Sequence, residues 1–191
     1  VLPVLRVKVD TTMKRSVTAA VGAAAVMVGV SLGGLPSAAA QPVDYGTLPV
    51  NPNVVTDSSA WVAVAPVLDP QGQPGVQTVF THRDGSRTVT DTILVLDDPA
   101  AANSAMTQGR GTLAGQIANA ATQPAPVGVG GEITTGTSPD NSRSIAVLTF
   151  TEGNTFTTIE FEGAVTDPVP PDLVIDYGKV QAGAIADALS A

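Results

Sequence analysis

Catalysis requires particular side chains at particular spacings, and this chain offers few of them. It has one histidine, His82, and no cysteine. His82-Arg83-Asp84 has the letters of a phosphotransfer catalytic loop, but no phosphate-binding glycine loop precedes it and no Asp-Phe-Gly follows. A Ser-His-Asp triad would have to use this same histidine, with no Gly-x-Ser-x-Gly elbow to present a serine. His82 therefore reads as a surface or rim residue. Two carboxylate pairs remain. Asp97-Asp98 stands immediately before Pro99 and fits a helix cap, whereas Glu160 and Glu162 fall on one exposed face of a strand. Paired acid–base catalysis needs carboxyls about 5 to 10 Å apart across a cleft, and no EF-hand-like spacing points to calcium. Gly109-x-Gly111-x-x-x-Gly115 lies inside a helical pattern and reads as close packing. Gly128-Val129-Gly130-Gly131 has no following Lys-Ser/Thr and reads as an entry loop. These residues imply no enzyme, no catalytic residue, no cofactor and no metal.

The first forty residues concern address instead. Lys14 and Arg15 precede an uncharged Ala/Val/Gly-rich run over residues 17–35, and Ser37-Ala38-Ala39-Ala40 supplies the small residues of a signal-peptidase site. The run nearly reaches the length of a membrane span. Its glycines, the break at Pro36 and the lack of a following basic cluster favour a cleaved signal over an anchor. With no cysteine after the cut, lipid anchoring there is excluded. Residues 1–12 read as a start assigned too early, 13–40 as a signal peptide, 41–58 as an irregular lead-in, and 59–191 as one domain. The chain is expected to be secreted, with no membrane anchor after cleavage.

Cleavage at that site removes Arg6, Lys8, Lys14, Arg15 and Asp10, leaving 5 Lys and Arg against 16 Asp and Glu, a net charge near −11. Such a surface repels phosphate backbones and anionic headgroups, so nucleic-acid binding is excluded and solubility outside the cell is the economical reading. Without disulfides, stability must come from packing and backbone hydrogen bonds. The abundance of Ala, Val, Gly and Thr with little Lys is similar to that of actinobacterial proteins.

Hydrophobic periodicity supplies the elements. "SAWVAVAPV" and "VQTVFTH" read as strands about a Pro/Gly-rich loop, and Asp84-Gly85 predicts a type I′ hairpin turn into "SRTVTDTILVL". Asp98-Pro99 predicts the start of a helix that runs to Gln123-Pro124, with Met106, Leu113 and Ile117 joined by Ala102 and Ala121 on one stripe. "EITTGTS", "SIAVLTFTE" and "NTFTTIEFEG" read as three strands, the last two joined by a type II′ turn at Gly153-Asn154. Asp172 is expected to cap a final helix carrying Val174, Tyr177, Gln181 and Ile185.

The order βββ-α-βββ-α gives an α+β class, a mainly antiparallel sheet of about six strands with two packed helices. That element order, over residues 59–191, resembles the exported mycobacterial domains of the LpqN type, related to the PsbP-like fold. The resemblance implies an envelope or secreted binding role and carries over no functional residue, because no signature residue matches and the lipobox cysteine is missing. The leading functional expectation is a secreted non-catalytic module for an apolar small molecule, lipid or cell-envelope component, bound beneath the helix at Met106, Leu113 and Ile117. A secreted hydrolase and a structural or protein-interaction domain are the alternatives. If Ala38 and Ala40 mark a cleavage site, mass spectrometry of the protein recovered from culture fluid will find Gln41 at its N-terminus. Val1 or Met13 there would refute it.

Overall fold

The computed structural model describes residues 43–56 and 58–190, so the early start expected over 1–12 and the signal peptide expected over 13–40 lie outside the described residues. Eight strands form one sheet: β1 (Trp61–Ala63), β2 (Val67–Leu68), β3 (Gly75–His82), β4 (Thr88–Val95), β5 (Ala118–Pro124), β6 (Val129–Thr137), β7 (Arg143–Glu152) and β8 (Thr155–Ala164). Their spatial order is β1-β3-β4-β8-β7-β6-β5, with β2 pairing the other end of β3, and every pairing is antiparallel. Among the described residues three α-helices accompany them: α1 (Pro52–Thr56), α2 (Pro99–Leu113) and α3 (Pro171–Leu189). The α+β antiparallel class is as expected, with more strands than the sequence reading contained.

Two differences account for the extra strands. The run "SAWVAVAPV" is interrupted near Pro66, which has no N–H for a ladder, so it divides into β1 and β2 along one edge. At the other edge, α2 stops at Leu113 and "ANAATQP" pairs with β6 as β5, through a register shift at Asn119, whose φ is 55°. Alanine content argued for continued helix, but Gly111 and Gly115 each lower helix stability by about 1 kcal/mol, and pairing with β6 prevails.

Alternation assigns the sheet's two faces. Val76 and Phe80, Val89 and Ile93, Ile159 and Phe161, Leu148 and Phe150, and Ile133 are buried on the face covered by α3. Phe161 meets the ring of Tyr177 edge-on at 5.6 Å, and Gly178 lets the helix approach Leu148 where a Cβ would lie 2.3 Å from its side chain. Asp172 sits inside the first turn of α3 and does not cap it. The N-cap is Pro170, which makes no side-chain bond, so the carboxylate acts only on the helix dipole. The lead-in is packed against this layer. Gln181 Oε1 accepts from the Val50 N–H at 2.7 Å, its Nε2 donates to the Leu48 carbonyl at 2.8 Å, and Leu48 is buried.

Both hairpins form, by different turns. Gly153 alone has positive φ in the β7–β8 turn, as a II′ turn requires. In the β3–β4 loop Gly85 (φ 71°) has positive φ but Asp84 does not, which excludes type I′. The Gly85 N–H closes a turn on the His82 carbonyl at 2.8 Å, and Asp84 Oδ1 accepts from the Ser86 N–H at 2.8 Å, an arrangement that a longer loop allows.

One core residue is a carboxyl. Asp91 occupies the apolar phase of β4 between Val89 and Ile93, fully buried, and loss of water pushes its pKa up to about 8 despite a contact with Tyr177. The Tyr177 hydroxyl has one proton and donates it to the Val50 carbonyl at 2.5 Å. Its approach to Asp91 Oδ2 is long, 3.5 Å, and Asp91 Oδ1 has no hydrogen-bond partner among the described residues, so little in the fold favours an ionised carboxylate. Below the ordinary value of 3.8 the group is protonated in both folded and unfolded chains. As pH rises toward 8 only the unfolded chain ionises, so stability falls by about 1.4 kcal/mol per unit and levels off above that pH. Urea denaturation of the protein and of Asp91→Asn should therefore give similar stabilities near pH 4 and a variant several kcal/mol more stable near pH 8. Parallel pH curves would show that Asp91 is ionised in the fold.

Candidate functional site

The opposite face of the sheet is covered only in part. Asp98 caps α2, its Oδ1 accepting from the Ala101 N–H at 2.8 Å, and Pro99 opens the helix. One stripe of α2 (Ala102, Met106, Gly109) lies on β7 and β8. Gly109 has no room for a side chain, because a Cβ there would lie 2.8 Å from the Phe156 ring. Arg110 ties the C-terminal half down, its Nε donating to Thr149 Oγ1 at 2.9 Å and its Nη2 to the Gly130 carbonyl. The adjacent stripe (Ala101, Ala105, Gln108, Thr112) faces a groove of about 680 Å³.

The floor of this groove is a polar row across three strands, Gln77 of β3, Thr92 of β4 and Thr158 of β8, flanked by Leu94 and Phe156. Gln77 Nε2 donates to Thr92 Oγ1 at 2.9 Å, leaving the amide oxygen and the hydroxyl proton directed to other partners. The far wall is the loop before β3, which contributes Gln71 and Gln73. Asp69 (φ 51°) and Gln71 (φ 58°) both adopt left-handed backbone there, a strained state for residues other than glycine. Gln108, Thr112 and Gln116 complete the helix side. None of the described lining residues is charged, although the chain carries a net charge of −8.

Of the three residues expected in a pocket, Leu113 lines the groove. Met106 is buried against Gly130, where a Cβ would lie 3.1 Å from Met106 Cε, and Ile117 lies beyond the helix end in a small cluster with Ile145 and Val147. A small apolar hollow, partly open to the surface, occurs elsewhere, between α1, the start of α3 and β4, touching Val55, Trp61, Phe161 and Leu173. Its volume is only about 20 Å³, room for about one water. His82 is engaged by Asp84, Nδ1 to Oδ1 at 2.6 Å, and by the Trp61 ring edge-on at 5.3 Å. Glu160 and Glu162 share the face of α2 but lie beyond the groove. Partial burial, then the neighbouring Glu162, push Glu160 up to about 7, and Glu162 Oε2 stands 3.7 Å from Arg143 Nε. No group of three metal-ligating side chains occurs among the described residues, and no described helix is long and apolar enough to cross a membrane.

The glutamines were not singled out by sequence reasoning. Five of the chain's eight line the groove, yet they come from a loop, a strand, a helix and the turn after it, and only the tertiary fold brings them together. No family model matches the chain, and no curated protein matches it. Among solved structures it is similar to the extracellular domain of PknH from Mycobacterium tuberculosis, with a TM-score of 0.52 and 10% sequence identity over 75% of this chain and 93% of that one. At that identity the likeness concerns the fold.

Gly109 and Gly111 separate packing from exposure on α2, because nothing lies within 4 Å of a Cβ at Gly111. Gly109→Leu should destabilise by about 1 to 3 kcal/mol through overpacking, while Gly111→Ala should stabilise by up to about 1 kcal/mol through helix propensity. Equal effects of the two in urea denaturation would contradict this seating of the helix.

Proposed function

We propose that the chain is an exported, non-catalytic binding domain that takes an uncharged ligand in the groove between α2 and the β3–β4–β8 face. The observation that carries this reading is the groove itself. Its volume of about 680 Å³ falls within the roughly 300 to 1,000 Å³ typical of small-ligand sites. It sets polar side chains on floor and walls among the apolar surfaces of Leu94, Leu96, Leu113 and Phe156, and a strained loop forms one side. The signal-like pattern of residues 13–40, the fold likeness to an extracellular domain and the element order of LpqN-type domains together support a location at or beyond the envelope.

A hydrolase reading finds little support in the same place. The groove's described lining contains no carboxylate, histidine, lysine or arginine to move a proton, and His82 is occupied elsewhere. The apolar-ligand version of the binding reading has Leu94, Leu96, Leu113 and Phe156 in its favour.

An NMR fragment screen with isotope-labelled protein tests the groove without assuming a ligand. Most hits should perturb amides of α2, Gln77, Thr92 and Thr158. Ala105→Trp, which places an indole in the groove, should abolish those shifts with little change in Tm. Hits scattered over the surface, or unaffected by Ala105→Trp, would refute the assignment.

A further inference from the structure

We infer that the ligand of this groove is a short, neutral carbohydrate, an assignment that rests on the groove reading above and specifies its chemistry. The lining is rich in carboxamides and hydroxyls. Gln77, Thr92 and Thr158 form the floor, with Gln71 and Gln73 on one wall and Gln108 on the other. A carboxamide offers an acceptor oxygen beside two N–H donors, and an alcohol is both donor and acceptor, so each glutamine can meet a pair of neighbouring sugar hydroxyls from either side. No hydrogen bond joins the side chains of Gln71, Gln73 or Gln108 to another described residue. Gln77 is held by Thr92 with its acceptor oxygen still available, which fixes one carboxamide in advance. Leu94 and Leu96 supply small apolar surfaces suited to the C–H faces of sugar rings.

The same lining argues against other ligands. A phosphate, a uronate or a fatty-acid carboxylate would call for a cation, and no Lys or Arg lines the groove among the described residues, while the surrounding protein is acidic. A hydrocarbon chain would strip water from the glutamines and return no hydrogen bond. A peptide captured by strand addition needs a free sheet edge. β4 and β8 are interior strands, and β3 pairs with β4 on one side and with β1 and β2 on the other, so their ladders are already engaged. The neutral polyhydroxyl class remains.

The test is an NMR and calorimetric titration of isotope-labelled protein with cello-, malto-, manno-, galacto- and xylohexaose, alongside palmitate and an uncharged Gly-Ser-Asn peptide. The inference expects at least one hexasaccharide to shift the side-chain NH₂ resonances of Gln77 and Gln108. It expects Gln77→Leu and Gln108→Leu each to weaken that binding at least ten-fold, and Gln123→Leu, on β5 outside the groove, to leave it unchanged. Gln108 is exposed on α2, so its variant remains informative should Gln77→Leu fail to fold. Palmitate or peptide shifting the groove amides while every sugar is silent would overturn the carbohydrate assignment and leave the groove reading standing. Sugar binding that maps outside the groove, or silence from all probes, would also overturn it. If fragments avoid the groove as well, the groove reading falls with it.

Discussion

The contact between Gly109 and the Phe156 ring sets the rest of the α2 face of this structure. Because residue 109 has no side chain, α2 lies down on β7 and β8, and Arg110 holds that position through Thr149 and Gly130. A helix seated over those strands cannot also cover β3 and β4, so the row from Gln77 through Thr92 to Thr158 stays uncovered. A helix raised by a larger residue at 109 would lose its packing and change the width of the groove together.

The two faces divide the work. α3 and the lead-in segment together cover the other side, and the buried polar groups there are arranged about the lead-in: Gln181 bonds both Leu48 and Val50, and Tyr177 lies between the Val50 carbonyl and Asp91. The cost of burying Asp91 rises with pH, so that layer is more stable in acid than at neutral pH. On the α2 face burial is only partial, Glu160 being the carboxyl it pushes up, and the polar row of Gln77, Thr92 and Thr158 lies beside the helix in the groove.

Much of the fold was legible because its strands alternate. The β7–β8 hairpin shows period-2 patterning with a Gly-Asn turn, and Asp98-Pro99 marks the N-terminus of α2 by elementary capping chemistry. The end of α2 was not legible. "ANAATQP" is alanine-rich and becomes a strand only because β6 offers an edge, a tertiary preference that local propensity does not contain. Asp91 was hidden for the same reason, since a carboxylate in a strand reads as solvent-facing unless both flanking apolar residues are known to point inward. In the site, Leu113 could be read from helical periodicity. The glutamines could not, because residues 71 to 116 meet only through strand pairing and a loop held at positive φ.

The seating of α2 is the claim on which the groove depends, and a NOESY spectrum of the protein measures it most directly. The account predicts cross-peaks between the Gly109 α-protons and the Phe156 ring, with those α-protons displaced from their random-coil position by the ring current. Absence of these cross-peaks, with Gly109 α-protons at random-coil shifts, would mean that the helix does not lie against Phe156 and that the groove described here is not formed.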